Sequence, residues 1–388
     1  MTHQLAEHRQ QFPYLEGKGY FNYGGQAPMP RGAIAAIQQA QDYFQQVGPF
    51  SNAANSWIVK ETSLTREAIA AELGALPETI ALTENVSVGC NIALWGIDWQ
   101  PGDHLLLTDC EHQGIIAATQ ELQRRFQIEV SVCPLLPTLN AGNPTEVIAQ
   151  QLRPKTRLVV LSHILWNTGQ VLPLAEIVQV CRQGGGEYSV RVLVDAAQSV
   201  GVLPLDLTAL GVDFYAFTGH KWWCGAAGVG GLYVSPAAQE SLHPTFIGWR
   251  SITIDSQNQP TGWQPDARRY EIATSAIPLY AGLREAIAFH PQLATREERY
   301  QMICDRSAYL WQRLSALPNV TCLRTAPPQS GLVSFQLARG DQGRLVQFLE
   351  SQNFFLRVLL DPNCVRACVH YFTTEAEMDA LVEAIAAF

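Results

Sequence analysis

Seven short apolar runs alternate with longer helical patterns through the middle of the chain, and this alternation restricts the fold more than any other feature. The runs are Ile80–Thr83, His104–Thr108, Glu129–Cys133, Arg157–Ser162, Val192–Asp195, Phe214–Thr218 and Gly231–Val234. They are β-branched or leucine-rich and bounded by turn residues, as buried strands are. Helical patterns such as Gly114–Phe126, Pro144–Leu152 and Leu174–Arg182 lie between several of them. Strands that alternate with helices predict an α/β fold: a mostly parallel seven-stranded sheet with helices on both faces. Ligands in such sheets bind at the carboxyl ends of the strands.

The flanks read differently. The first 75 residues are helical and loop-like, and 248–268 is a polar loop or domain joint. A helical stretch covers 277–317. Beyond it, the strands Val320–Arg324, Leu332–Gln336, Phe354–Val358 and Val365–Phe372 and the helices Gly343–Gln352 and Glu375–Phe388 predict a smaller α+β unit. The expected division is an N-terminal segment, 1–20, associated with the small domain, a large domain over 21–265, and a small C-terminal domain with an interface helix over 266–388. A chain of 388 residues is long enough for both cores.

Net charge is 26 − 35 = −9. An acidic surface repels phosphate backbones and anionic lipids, so neither nucleic acid nor membrane is expected as a partner. No apolar run is long enough to span a bilayer, and Met1–Gln11 lacks a signal-peptide core. Nine cysteines stand singly, with no C-x-x-C pair. That pattern predicts reduced thiols in a cytoplasmic protein, most of them buried as small apolar residues.

Four segments carry chemistry. In Phe214-Tyr-Ala-Phe-Thr218-Gly219-His220-Lys221 a strand ends and presents a lysine. A Schiff-base lysine needs a firm strand end, a flexible glycine and a partly desolvated amine; a surface lysine after a strand fits this segment equally well. In Val192-Leu-Val-Asp195-Ala-Ala-Gln198 an apolar strand ends in a carboxylate, which is costly to bury unless it meets a cation. A protonated pyridine ring would be that cation, and a helix N-cap is the alternative. His112 follows a strand and falls at the same sheet edge, where it would stack on an aromatic cofactor or be a satisfied core histidine. In Thr83-Glu-Asn-Val86-Ser87 a strand turns into a helix whose first N–H groups, with the Ser87 hydroxyl, could bind phosphate or form an ordinary cap.

In this order the four segments resemble the fold-type I pyridoxal-5′-phosphate (PLP) enzymes, and within them the class V aminotransferase and cysteine desulfurase superfamily. The resemblance runs from Tyr20-Phe-Asn-Tyr-Gly-Gly25 to the C-terminus, and Thr-Gly-His-Lys and Asp-Ala-Ala-Gln are its most specific elements. It implies PLP held by Lys221 as a Schiff base, with Asp195 at the pyridine nitrogen, Gln198 at the phenolic oxygen and His112 stacked on the ring. It implies a phosphate held by Val86, Ser87, Thr218 and His220. Arg269-Tyr-Glu271-Ile-Ala-Thr274 resembles the family's Arg-x-Glu-x-Gly-Thr element, which implies a homodimer in which Thr274 reaches the partner's phosphate. Arg366, in an apolar strand, resembles the family's α-carboxylate clamp, and Arg357 a second arginine found in desulfurases.

The chain departs from the desulfurases between these two arginines. Desulfurases carry there a mobile loop with an attacking cysteine; here the gap is only Val358-Leu-Leu-Asp-Pro-Asn-Cys364-Val365. Trp166 falls where many relatives have asparagine, which leaves Asn167 an uncertain cofactor contact. Without the attacking cysteine, the resemblance implies β-elimination, as in the cysteine/cystine C–S lyase branch of these proteins. Such an enzyme takes cystine or cysteine to pyruvate, ammonia and persulfide or sulfide, with an iron–sulfur apoprotein as a possible sulfur acceptor. The alternatives are a desulfurase using Cys364 or Cys224, a class V aminotransferase, and a non-catalytic sulfur carrier.

Overall fold

Residues 2–184, 186 and 189–388 are described by the computed structural model of the protein. The seven apolar runs are the strands of one sheet: β1 (Ile80–Thr83), β2 (His104–Thr108), β3 (Glu129–Cys133), β4 (Thr156–Ser162), β5 (Arg191–Asp195), β6 (Phe214–Thr218) and β7 (Gly230–Val234). Their order is β1-β7-β6-β5-β4-β2-β3. Strands β2 to β6 pair in parallel, and β7 runs antiparallel to both β1 and β6.

Successive side chains of a strand point to opposite faces, and here both faces are dry. Val192 and Val194 of β5 join Leu106, Val159 and Phe217 in one apolar cluster. Leu193, between them, joins Leu105, Val160 and Ala216 in the other. Burial on both faces is why the interior strands read as continuous apolar runs rather than as alternating ones; edge strand β3 is partly exposed and alternates.

The longer helices are α1 (Thr2–Gln10), α2 (Arg31–Gln46), α3 (Asn52–Leu73), α4 (Val86–Gly96), α5 (Gln113–Phe126), α6 (Pro144–Gln151), α7 (Leu174–Gly184), α8 (Ile277–Phe289), α9 (Arg296–Ser315), α10 (Gln342–Ser351) and α11 (Glu375–Ala387). Helix α3 begins at Ser51, whose hydroxyl accepts the Ala54 N–H at 3.1 Å, and ends at Gly74 with φ of 59°. A Cβ at Gly74 would sit 2.6 Å from Asp206 Cα, so glycine is required there twice over. The single helical stretch expected over 277–317 is two helices. Pro291 lies in a 3-10 turn, and Thr295 restarts the chain with a capping box to Glu298.

The C-terminal sheet is antiparallel, in the order β8 (Val320–Cys322), β9 (Leu332–Leu337), β11 (Asn363–Cys368), β10 (Arg357–Leu360). The strand expected to reach Phe372 ends at Cys368, because the chain then turns: the His370 N–H goes to Thr373 Oγ1 at 2.9 Å. Phe354–Phe355 separates from β10 to pair in parallel with Gly19–Tyr20, which attaches the N-terminal segment to this unit. The polar segment 248–268 carries a hairpin, Ile252–Ile254 against Pro260–Trp263. Its turn is closed by Asp255 Oδ1, which accepts the N–H groups of Gln257 and Gln259.

One buried carboxylate ties this segment to the main sheet. Glu271 accepts from Arg66 of α3 at 2.7 Å, from Arg250 at 2.8 Å, and from the Leu82 N–H of edge strand β1 at 3.0 Å. Removing it strands the buried Arg66 guanidinium. Glu271→Ala is expected to lower the unfolding free energy by about 3–5 kcal/mol in a denaturant titration. A change within about 0.5 kcal/mol, the scale of an ordinary surface substitution, would contradict the arrangement.

Candidate active site

The carboxyl ends of the parallel strands open into a cleft of about 370 Å³. Eleven residues were expected at the site, and nine line this cleft: Val86, Ser87, His112, Asp195, Gln198, His220, Lys221, Arg357 and Arg366. The other two do not. Thr218 is fully buried, and its hydroxyl hydrogen-bonds His220 Nδ1 at 2.6 Å. Thr274 is exposed and takes no part in the cleft of its own chain.

Asp195 ends β5 at the floor of the cleft. Its Oδ1 accepts the Ala197 N–H at 2.9 Å, and among the described residues it makes no ion pair. Burial raises its pKa, opposed by the Ala197 hydrogen bond and then by the charge of Lys221. Lys221 is shifted the other way: desolvation brings its ammonium down to about 8, with Asp195 opposing the shift. The amine is thus far easier to deprotonate than a surface lysine.

His112 stands at the rim and caps helix α5. Its Nδ1 accepts the Gly114 N–H at 3.2 Å, so the proton of the neutral ring sits on Nε2. Desolvation lowers its pKa, and it is the neutral ring that faces Trp166 edge-on with centroids 5.5 Å apart. Helix α4 begins at the same rim. Asn85 caps it by accepting the Val88 N–H at 3.1 Å, while the N–H groups of its first turn have no acceptor within the helix. Beside them, burial brings His220 down to about 4. A helix N-terminus with a hydroxyl and an imidazole alongside suits a phosphate.

The opposite wall carries two guanidinium groups. Arg357 of β10 and Arg366 of β11 are directly paired across the antiparallel ladder. Like charges placed opposite each other repel, and neither arginine has a carboxylate partner among the described residues. Arg366 is 2% exposed, donates to Trp166 O at 2.7 Å and has an unsatisfied Nε. Arg357 is exposed at the mouth, whereas a buried cation without a counter-ion, as Arg366 is, marks a place for an anionic ligand group. The turn between the two strands is only Asp361-Pro362, because Leu360 already pairs with Asn363. No loop can extend from it. Cys364 follows on β11, fully buried, and desolvation pushes its thiol up to about 11.

Two participants escaped the sequence reading, and a third, Trp166, entered it only as a departure from the family pattern. Gly24 lies on the cleft wall, where a Cβ would fall 3.0 Å from both Cys368 Sγ and Gln198 Oε1 and 3.1 Å from Arg366 Cζ. The Gly24-Gly25 doublet was its only signal. Glu111, buried next to His112, accepts from Thr108 Oγ1 at 2.5 Å and from Ser162 N–H and Oγ at 2.9 and 2.8 Å, and burial raises its pKa to about 8. Trp166 lines the cleft, while Asn167 turns behind it, its Nδ2 donating to Asp361 O at 3.4 Å and its carbonyl accepting from Ser334.

Fold and cleft together define a PLP enzyme of fold type I. They contain a buried carboxylate lacking a cation, a lysine amine of depressed basicity and an anion-binding helix start, which are the features PLP requires. The chain belongs to the aminotransferase class-V family, whose pattern matches residues 19–381. It is similar to the cystine C–S lyase C-DES, solved in complex with its reaction product cysteine persulfide: 53% identity, TM-score 0.96, covering 97% of this chain and 100% of that one. A mutant of C-DES, with glycine covalently linked to its PLP cofactor, gives 52% identity and the same TM-score over 98% of this chain and 99% of that one. More distant are isopenicillin N epimerase of Streptomyces clavuligerus, 27% identical over 94% of this chain and 93% of that protein, and a cysteine desulfurase of Escherichia coli, 28% identical over 93% and 83%.

The depressed basicity of Lys221 predicts how the apoprotein takes up PLP. Only the neutral amine attacks an aldehyde, so the uptake rate, followed by visible absorbance, is expected to rise with pH through a midpoint near 8 and then level off. A midpoint near that of an unperturbed lysine, about 10.4, would contradict the burial of the amine.

Proposed function

We propose that the chain is a PLP-dependent carbon–sulfur lyase that cleaves L-cystine, and L-cysteine less well, by β-elimination. The observation that carries this reading is the Arg357/Arg366 pair on a hairpin with a two-residue turn. Two unpaired cations on one wall suit an amino acid with two carboxylates. The tight turn and the buried Cys364 leave no mobile thiol to attack the substrate sulfur, which is the step a desulfurase needs.

In this reading Lys221, Asp195, Gln198 and His112 hold and orient PLP, with Val86, Ser87, Thr218 and His220 around its phosphate. PLP, when bound, supplies an electron sink for the pair left on Cα. Asp195 keeps that sink effective by keeping a proton on the ring nitrogen. Arg366 clamps the α-carboxylate and so fixes which bond at Cα is presented. Lys221 Nζ, once free, takes the Cα proton; its low basicity keeps it neutral enough to act as a base near pH 8. The Cβ–S bond then breaks and its electron pair leaves with sulfur. From cystine the leaving group is cysteine persulfide, which is less basic than sulfide and departs more readily. With one water consumed, the remaining carbons leave as pyruvate and the nitrogen as ammonia.

We further propose a cytoplasmic homodimer in which Thr274 of each chain completes the partner's phosphate site. The exposed Phe246, Ile247, Trp249 and Ile272 support it: Ile272 is two residues from Thr274, and its carbonyl accepts the Arg250 N–H, which brings the other three beside it; exposed apolar surface of this kind marks a contact face. The persulfide would serve an iron–sulfur apoprotein as sulfur donor. No helix among the described residues is long and apolar enough to cross a membrane.

The test is to give the holoenzyme cystine and cysteine separately and measure pyruvate and alanine. Pyruvate is expected from both, faster from cystine; alanine as the main product would overturn the reading. Arg357→Ala is expected to raise KM for cystine about tenfold, the scale of one hydrogen bond to a charged group, with little effect on cysteine. Equal effects on both substrates would remove Arg357 from the distal carboxylate. Cys364→Ala is expected to keep its rate of pyruvate formation within about twofold, since a loss of that size is well under 1 kcal/mol. Abolished turnover in a folded variant would restore the desulfurase alternative.

A further inference from the structure

Lys221 is followed by Trp222, a large residue that none of the steps above uses. The indole is fully buried. It stacks against Tyr23 and His370, with centroids 6.2 and 5.8 Å away and planes 29° apart in both cases. His370 Nε2 donates to the Trp222 carbonyl at 3.0 Å. Gly331 and Gly201 close the cage: a Cβ on the first would lie 2.6 Å from the ring, and on the second 2.7 Å from the Trp222 backbone. The indole cannot change its orientation without moving several neighbours.

An indole has one polar atom, and it can only donate. Trp222 Nε1 donates to Gln198 Oε1 at 2.9 Å. From the other end of the same amide, Gln198 Nε2 donates to the Gly24 carbonyl at 2.9 Å. A flipped amide would set donor against donor at Trp222 and acceptor against acceptor at Gly24, so the two partners decide which way it lies. One Nε2 hydrogen is left over, on a residue that lines the cleft.

We propose that Trp222 is a positioning residue that locks Gln198 as a hydrogen-bond donor toward the ring oxygen of PLP. This rests on the proposal that PLP is bound at Lys221. A fixed donor stabilises negative charge on that oxygen and weakens its hold on a proton shared with the Lys221 nitrogen. Trp222 therefore sets the pH at which the bound cofactor changes protonation, although it touches neither cofactor nor substrate.

The experiment follows the pH midpoint of the visible absorption band in four reconstituted proteins: wild type, Trp222→Phe, Gln198→Ala and the double variant. His112, Asp195, His220, Arg357 and Arg366 around the cofactor, and Tyr23 and His370 around residue 222, are present in all four. The midpoint is expected to rise by about one pH unit in each single variant, as for loss of one hydrogen bond to a charged atom. The double variant is expected to match Gln198→Ala, because Trp222 acts through Gln198. Additive shifts, or an unmoved midpoint in Trp222→Phe, would overturn the proposal. Should Trp222→Phe fail to fold, benzothienylalanine at position 222 keeps the ring shape and deletes only the N–H; the same one-unit rise supports the proposal and an unmoved midpoint overturns it. If wild type shows no visible band that Lys221→Ala abolishes, the cofactor assignment itself fails and this proposal with it.

Discussion

A buried carboxylate without a cation of its own is the constraint around which this molecule is arranged. Asp195 lies at the end of a strand that is dry on both faces, satisfied by one backbone N–H and opposed by a lysine whose amine burial has made weakly basic. Such an arrangement is costly in an empty protein. On the placement proposed for PLP, a protonated pyridine ring against Asp195, tethered by Lys221, would resolve both costs at once. The parallel sheet holds the two groups in fixed relation, because β5 and β6 are adjacent strands in register and each delivers one of them from its carboxyl end.

The chain after Lys221 is held as firmly as the chain before it. His370 donates to the Trp222 carbonyl at 3.0 Å and His290 to the Trp223 carbonyl at 2.9 Å. Tyr371 bridges His290 to His8 of the N-terminal helix at 2.8 and 2.7 Å. Burial lowers the pKa of all three histidines, so each is neutral and its tautomer is set by its partners. The lysine is thus supported by residues from the N-terminal segment, from α8 and its following turn, and from the C-terminal unit, all converging on two peptide groups.

The seven strands were legible to within one residue: burial on both faces leaves the interior ones as unbroken apolar runs, and the partly exposed edge strand β3 reads as an alternation of valines with polar residues. The placement of Lys221, Asp195 and His112 was legible because each ends or follows such a run and so had to fall at one sheet edge, whereas Gln198 was named from the family resemblance. The break in the helical stretch at Pro291 was missed because the apolar periodicity resumes after it. The early end of the strand at Cys368 was missed because Val369, Tyr371 and Phe372 are core residues too, although they are buried from a turn. Gly24 and Glu111 were invisible for another reason. Their importance lies in what packs against them from strands and loops far away in sequence, and no local pattern records that. The shortened gap between Arg357 and Arg366 was readable as a count of residues, but its consequence, a hairpin too tight to carry a mobile thiol, required the ladder register.

The account stands on sulfur leaving with the substrate fragment rather than on the protein. The most direct measurement is the mass of the intact holoenzyme, stopped within its first turnovers on cystine, with persulfide assayed in the surrounding solution. An unmodified chain with cysteine persulfide in solution is the predicted result. A cysteine-persulfide unit added to the chain as a trisulfide and mapped to Cys364, with alanine released, would contradict the account and make the attacking thiol the feature to explain.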